Sequence, residues 1–335
     1  MHPLLPTLTQ HLRDTVYSAI GYTPDHRALI VFDRMSPLAS LLVDGYREVL
    51  PHAALLDFDQ TTPEGAREAM NALSPGDLVV LVQSSSFRLN EFRFRLELFN
   101  RSLAVIEHPH LNRMPEQEHA TYVDALAYDA SYYRTVGPAL KAAIDRATRV
   151  VVSCEGTELV YDGPFEPAKL NTGDYTGMKN TGGQFPIGEV FTELVDLTRV
   201  NGQARIFAFA DDDFHVIVPE TPILATIEAG VLTKTKHAPP TFDSVLQKIS
   251  ADETLTIREL GFGMNRAMTR HRTLTDIGSY ERMCGVHLSL GAKHTIYAKP
   301  GFPKRSSRYH VDVFVDVTEV SIDGKTVFRN GSYLP

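Results

Sequence analysis

Short apolar runs alternate with amphipathic stretches between residues 27 and 153. The runs are RALIVFD, AALLDFD, DLVVLVQ, LAVIEHP and RVVVS, and segments such as PLASLLVDGYREVL separate them. Uninterrupted apolar runs are typical of strands in a parallel sheet, because helices cover both faces of such a sheet. The pattern therefore predicts an α/β N-terminal lobe with a parallel sheet. None of the runs is followed by GxGxxG or GxxxxGK, so the sequence does not support a nucleotide site.

The pattern changes after about residue 155. Glycine and proline become frequent, and shorter apolar runs alternate with polar residues, as in ARIFAFA and YHVDVFVDV. These features predict a mostly antiparallel, β-rich lobe with helices near FDSVLQKIS and DIGSYERM. Residues 115–146 are predicted to be helical, with a break near Gly137-Pro138. Because 335 residues exceed the usual size of one core, we expect an α/β lobe at 1–160 and a β-rich lobe at 161–335.

The composition restricts the compartment and the partners. The net charge of -8 argues against a broad nucleic-acid surface, which needs clustered Lys and Arg. Cys154 and Cys284 are too few for a disulfide framework and suit a reducing compartment. The sequence has no run of 18 apolar residues and no signal-peptide pattern. We therefore expect a cytoplasmic protein with no nucleic-acid partner and no membrane partner.

The segment YHVDVF contains the sharpest local signal for chemistry. A strand sends residues i and i+2 to the same face, so His310 and Asp312 converge. Glu189, Glu259 and His287 also lie in or beside apolar runs, where an unpaired charge is costly. Carboxylates and imidazoles together suit a divalent cation, so we predict a metal site in the C-terminal half. A solvated face is the alternative for His310 and Asp312, since spacing alone does not show that the five residues meet.

The same segments carry a resemblance to a known family. In this order, GGQFPIGEVFTE, ELGFGMN, GVHLSLG, HVDVF and VSIDGKTVFRNGSY resemble successive blocks of the thermophilic aminopeptidase family, the metallopeptidases of the aminopeptidase T and aminopeptidase S type. The resemblance spans roughly residues 180–335, and the N-terminal lobe shares only its βα pattern. It implies a β-rich metal-binding lobe and a homodimer. We expect the site in the groove between the lobes.

The resemblance implies a set of metal ligands that could hold two ions. Zinc and cobalt are the metals it favours. In such a site the ions activate a bridging water and polarise a peptide carbonyl next to a free α-amino group. The family also has a tyrosine ligand seven residues after its block histidine, and this chain has His294 there. His294 can bind a metal, and Tyr297 follows three positions later. The implied ligands are Glu189, Glu259, His287, His294, His310 and Asp312.

Further residues near the ligands are candidates for catalysis and substrate binding. If its segment is extended, Glu193 shares a strand face with Glu189 and, like Glu259, is a candidate general base or proton shuttle; a solvated glutamate at a strand end is the alternative for Glu193. Tyr297 and the arginines that flank the ligands are candidates for substrate contacts, since arginine binds carboxylates through two parallel hydrogen bonds. Solvated positions at the rim of the site explain the arginines equally well. The arginines are Arg258, Arg266 and Arg308. His108 and His110 follow a parallel strand, where ligands often bind, but a surface loop explains them more simply.

Three functions are compatible with these observations. The first is hydrolysis of an N-terminal residue from a peptide or small peptide-like substrate. The second follows from another branch of the fold family, the iron-dependent 2,5-dihydroxypyridine dioxygenases, because His287, His310 and Asp312 supply the two-His, one-carboxylate face that binds Fe(II). The resemblance favours the first, since those dioxygenases carry histidine in place of Glu259. The third is peptide binding without cleavage, as in relatives from peptide natural-product pathways.

Overall fold

The computed structural model describes residues 2–88, 94–291, 297 and 309–334. Two units make up the chain, and each is built from separate stretches. The N-terminal unit contains Met1–Ser131, Gly173–Ile187 and Leu274–Asp276, and the C-terminal unit contains Tyr132–Thr172, Gly188–Thr273 and Ile277–Pro335. The predicted domain boundary between residues 160 and 161 remains a prediction.

Helices and strands alternate in the first part of the chain, and strands dominate the second. The helices are α1 Leu5–Asp14, α2 Pro37–Val49, α3 Pro63–Asn71, α4 Phe94–Asn100, α5 His119–Ala125, α6 Ala130–Ile144, α7 Pro240–Asp252 and α8 Ile277–Tyr280. The strands are β1 Ala28–Phe32, β2 Ala54–Asp57, β3 Leu78–Val82, β4 Ala104–His108, β5 Arg149–Cys154, β6 Thr157–Asp162, β7 Lys169–Asn171, β8 Gly182–Gln184, β9 Glu189–Glu193, β10 Val200–Ala210, β11 Val216–Ile217, β12 Ile223–Glu228, β13 Val231–Lys236, β14 Ile257–Gly263, β15 Gly285–Leu290, β16 Val311–Val315, β17 Val317–Ile322, β18 Lys325–Arg329 and β19 Ser332–Tyr333. Among the described residues, no helix combines the length and the apolar character that crossing a bilayer requires.

A parallel sheet of five strands, in the order β2-β1-β3-β4-β8, forms the centre of the N-terminal unit. Strands β1 and β3 are buried along their whole length, as their continuous apolar sequences require. Helix α2 begins with Pro37 in its first turn, where the Ser36 hydroxyl accepts the Ala39 N–H at 3.1 Å. The predicted α/β lobe with a parallel sheet is confirmed.

The assignment of the run RVVVS to the parallel sheet is wrong. This run forms β5, which pairs antiparallel with β6 and β17 in the C-terminal unit. Alternate residues of β5 are buried, which is typical of a strand covered on one face. Strand β8, from the sequence GGQ, takes the fifth place beside β4. A Cβ atom at Gly182 would lie 1.9 Å from the Val105 carbonyl oxygen, so this close pairing requires glycine, a residue that is rare in strands.

The helical prediction for residues 115–146 is correct in kind, but its break lies elsewhere. Helices α5 and α6 are separated by residues 126–129, and α6 continues through Pro138. Proline removes one helical hydrogen bond. The buried residues of α6 recur every three or four positions, and this packed face holds the helix together across the proline. They are Tyr133, Gly137, Leu140 and Ile144.

One large sheet with antiparallel strand pairings forms the C-terminal unit. Its order is β19-β18-β17-β5-β6-β10-β16-β15-β14-β9-β7, and β11, β12 and β13 are attached through β10. Strands β14 and β15 are buried along their whole length, so their charged residues are shielded from water. Helices α7 and α8 coincide with FDSVLQKIS and with the start of DIGSYERM. The predicted β-rich lobe and its two helices are confirmed.

His108 is a core residue of the N-terminal unit, and its interpretation as a surface-loop residue is wrong. It is fully buried at the end of β4, with the Tyr46 hydroxyl 2.7 Å from Nε2 and the Tyr122 hydroxyl 2.8 Å from Nδ1. A neutral imidazole has one donor and one acceptor nitrogen, which matches the two hydroxyls. Burial lowers the pKa of His108 from 6.5 to about 3.

This pKa predicts a dependence of stability on pH. Below about pH 6.5 the unfolded chain takes up a proton at His108 while the folded chain does not, so its contribution to stability is present above pH 6.5 and is lost as the pH falls toward 3. From pH 6.5 to 5 we expect a loss of about 2 kcal/mol from this residue. Urea unfolding of the wild type and of His108→Gln, followed by circular dichroism, measures the difference. Equal pH slopes for the two proteins would contradict the prediction.

Candidate metal centre

Four of the predicted ligands lie on four adjacent strands, Asp312 on β16, His287 on β15, Glu259 on β14 and Glu189 on β9, and His310 directly precedes β16. The register places Gly263 opposite Glu189, Gly261 opposite His287, and Ser289 opposite Asp312. Residues two apart on a strand share a face, and register partners share that face too. One buried face of the sheet therefore carries Glu189, Glu193, Glu259, Gly261, His287 and Asp312.

Glu189, Glu259 and His287 form the centre of this face. His287 Nε2 lies 3.3 Å from Glu189 Oε1 and 3.2 Å from Glu259 Oε1. The three residues are 5%, 4% and 1% exposed, and their donor atoms all lie within 4.8 Å of one another. A tetrahedral cation bound at about 2.0–2.2 Å keeps its donors about 3.3–3.6 Å apart. The two carboxylates and the imidazole therefore fit a divalent cation in both chemistry and spacing.

Gly261 provides the space in which the imidazole of His287 lies. A Cβ atom at Gly261 would be 2.0 Å from His287 Nε2 and 2.2 Å from Cε1. Such distances are far below van der Waals contact, so any other residue at this position would displace the ring. The conformation of the centre thus depends on a glycine between Glu259 and Gly263 on β14.

The electrostatics of the centre favour a cation. Burial acts to lower the pKa of His287, but hydrogen bonds to Glu189 and Glu259 outweigh it and raise the pKa to about 10. At neutral pH the imidazole therefore holds a proton between the two carboxylates. A divalent cation would replace that proton, so metal binding is coupled to proton release.

His310 and Asp312 form a pair beside the centre. His310 Nε2 lies 3.1 Å from Asp312 Oδ1. Burial acts to lower the pKa of His310, and the Asp312 and Glu259 carboxylates raise it to about 9. Asp312 also acts electrostatically on His287. The pair is therefore electrostatically coupled to the centre formed by Glu189, Glu259 and His287. In the described part of the chain, however, His310 and Asp312 do not belong to the set of donor atoms that all lie within 4.8 Å of one another.

Strand β14 has a β-bulge at Arg258 and Glu259, next to the candidate metal centre. Ile257 pairs with Leu290 and Leu260 with Leu288, so β14 has one residue more than β15 over this stretch. Arg258 Nη2 donates to Glu193 Oε2 at 2.8 Å and to the Tyr297 carbonyl at 3.4 Å. The Arg258 and Glu193 side chains are 3% and 0% exposed. The predicted roles of these residues remain predictions, and the structure adds that the two side chains bind each other.

The remaining predicted site residues lie in several places. The Tyr297 hydroxyl donates to the Pro167 carbonyl at 2.9 Å, and burial raises its pKa. The Arg266 guanidinium lies 4.0 Å from the centroid of the Tyr132 ring. His294 and Arg308 fall outside the described residues.

Two residues of the site were not found from the sequence. Ser289 accepts the Glu259 N–H at 3.1 Å, and its position two residues after His287 was a usable signal. Arg282 is 7% exposed, with Nη2 3.7 Å from Glu189 Oε2. It lies in the charged segment YERM, which resembles an exposed helix end, so only the tertiary structure reveals its burial.

A second group of possible ligands lies in the turn between β10 and β11. It consists of Asp211, Asp213 and His215, of which Asp213 is exposed. Asp211 Oδ1 accepts the backbone N–H of Asp213 at 2.9 Å and of His215 at 2.8 Å. These hydrogen bonds explain the group as a turn held by an aspartate side chain.

Comparison with known proteins identifies the fold. No protein-family model and no curated protein matches the sequence. The solved structure of wild-type AmpT from Thermus thermophilus matches 99% of this chain and 100% of that chain, with a TM-score of 0.60 and 15% sequence identity. At this identity the similarity concerns the fold and does not extend to activity. The protein therefore has an aminopeptidase T-like fold, with a buried group of residues able to hold a metal ion.

Proposed function

We propose that this protein is a metal-dependent aminopeptidase-like hydrolase that removes the N-terminal residue of a peptide or peptide-like substrate. The convergence of Glu189, Glu259 and His287 in a buried space kept open by Gly261 carries this proposal. The fold shared with AmpT, an aminopeptidase, supports it.

In this proposal Glu189, Glu259 and His287 hold one divalent cation, and His310 and Asp312 contribute to a second. Zinc and cobalt are the preferred ions. A bound divalent cation supplies Lewis acidity, which polarises a peptide carbonyl and lowers the pKa of water. Glu193 would accept the proton from the attacking water, because its carboxylate lies on the buried face that also carries Glu189 and Glu259.

The ligand set favours hydrolysis over ring cleavage. A ring-cleaving Fe(II) enzyme uses two histidines and one carboxylate, with the other coordination positions open. In this structure His287 already contacts two carboxylates, those of Glu189 and Glu259. The additional carboxylates suit ions such as zinc, cobalt or manganese better than that iron site.

Metal analysis followed by a peptidase assay tests the proposal. Protein purified without chelator should contain about two ions of zinc, cobalt or manganese per chain, as expected of a two-metal hydrolase. It should release amino acid from leucyl or arginyl peptides, and His287→Ala should lose both metal and activity while keeping its circular dichroism spectrum.

Other results would contradict the proposal. About one iron per chain would indicate the ring-cleaving oxygenase. Metal-loaded protein that releases no amino acid from any peptide of the panel would overturn hydrolysis. Metal-free protein that still binds those peptides would indicate a non-catalytic peptide-binding function.

A further inference from the structure

Arg282 is buried beside the metal centre, in the segment between α8 and β15. It is 7% exposed, and its backbone carbonyl accepts the Asn265 N–H at 2.8 Å, which fixes its main chain. Arginine is almost never so deeply buried unless its charge is paired. The hydrogen bonds of its guanidinium group therefore need to be accounted for.

One edge of the guanidinium group has hydrogen-bonding capacity left. Nη1 donates to the Gly278 carbonyl at 3.0 Å and contacts Glu281. Nη2 lies 3.7 Å from Glu189 Oε2, too far for a hydrogen bond. Nε is buried and has no hydrogen-bond partner in the described part of the chain. Among the residues that the structure describes, the edge formed by Nε and Nη2 thus makes no hydrogen bond.

Arg258 differs in this respect, because its Nη2 donates to Glu193. Among the described residues, Arg282 thus lies beside Glu189 with a guanidinium edge that makes no hydrogen bond. Its Nε–H and Nη2–H point in parallel, the arrangement that binds both oxygens of a carboxylate. Buried donors are nearly always partnered in native structures, so a ligand carboxylate on this edge would complete the hydrogen bonding.

We propose that the Nε and Nη2 edge of Arg282 binds a carboxylate of the substrate, so that the substrates are short peptides with a negative charge close to the scissile bond. This inference rests on the proposed function and names its substrate class. The carboxylate can be the C-terminus of a dipeptide or the side chain of an acidic residue. Both have the same chemistry at Arg282, and the experiment distinguishes them.

Two pairs of peptides separate the sources of the carboxylate. Leucyl-glycine is compared with leucyl-glycinamide, and glutamyl-glycinamide with glutaminyl-glycinamide. Binding to chelator-treated protein is measured by calorimetry, so that no hydrolysis can occur. In one pair, wild-type protein should bind the acid about 10- to 100-fold more tightly than the amide, the effect of hydrogen bonds to a charged group.

Substitutions assign the preference to Arg282. Arg282→Gln should bind acid and amide equally, and Arg282→Lys should keep only part of the preference, because lysine has a charge without parallel donors. Arg329→Gln is the matched control, since Arg329 is 53% exposed and pairs with Glu319 on β17. Thermal unfolding shows whether each variant is folded, and Arg282→Lys decides the question if Arg282→Gln does not fold.

The inference and the proposed function fail in distinguishable ways. Carboxylate binding by Arg282 is overturned if wild-type protein binds acid and amide equally, or binds neither. This conclusion does not depend on which peptides the metal-loaded protein hydrolyses. A preference that persists in a folded Arg282 variant also overturns it. A preference for the acid that Arg282→Gln abolishes supports carboxylate binding by Arg282. This holds even when metal-loaded protein hydrolyses none of the four peptides. That second result would overturn the proposed function instead.

Discussion

Gly261→Ala is expected to weaken metal binding by at least about 100-fold, because it displaces one proposed ligand and disturbs the contacts of two others. The added methyl carbon would lie 2.0 Å from His287 Nε2, inside the imidazole ring's own space. His287 is buried and held by Glu189 and Glu259, so moving the ring separates three donors at once. Calorimetric titration of chelator-treated protein with zinc measures the effect.

A second glycine provides the control for this substitution. Gly65 lies in the first turn of α3, where a Cβ would lie 3.1 Å from Thr61 Cγ2 and 3.4 Å from Oγ1 of Thr62, the N-cap residue. Gly65→Ala should leave metal binding unchanged, because α3 belongs to the N-terminal unit and carries none of the proposed ligands. Wild-type zinc affinity in a folded Gly261→Ala protein would show that His287 is not a ligand in the proposed geometry.

Arg258→Met is expected to destabilise the protein by about 3–5 kcal/mol, because it leaves the Glu193 carboxylate buried without its guanidinium partner. The two side chains are 3% and 0% exposed, so water cannot take over the lost interaction. The free energy of unfolding from urea titration, followed by circular dichroism, measures the loss at neutral pH.

The double variant Arg258→Met, Glu193→Leu tests the cause of this loss. Replacing both charges with apolar side chains removes the carboxylate that has lost its guanidinium partner, so the double variant should regain most of the lost stability. The exposed pair of Arg199 and Asp162 is the matched control, and Arg199→Met should change stability by less than about 1 kcal/mol. A double variant no more stable than Arg258→Met would indicate that Arg258 acts through packing instead of charge.

Part of the candidate site was predictable because it depends on local periodicity. His310 and Asp312 are two residues apart on an extended segment, and the structure places them 3.1 Å apart. Ser289 was within reach of the same reasoning. That Glu189, Glu259 and His287 lie close together was suggested only by the order of the blocks that resemble a family. The number of residues between them in the sequence does not determine their distance in the folded chain.

Other features were out of reach because they depend on which strands pair. The bond between Arg258 and Glu193 follows from a bulge in β14 and from the register of β14 with β9. RVVVS was assigned to the wrong sheet because a short apolar run is compatible with either kind of strand. His108 was interpreted as a loop residue, although it lies between two tyrosine hydroxyls in a core.

The sequence by itself determined the two kinds of lobe, because burial on one or both faces of a strand leaves a pattern within a few residues. Only the tertiary structure decided which charged side chains meet at the candidate metal centre. It also decided that Arg282 lies beside this centre with a guanidinium edge that makes no hydrogen bond among the described residues. Strand register is a non-local choice, and a shift of one residue would turn every side chain of a strand to the other face. The position of Gly261 opposite His287 is a product of that choice.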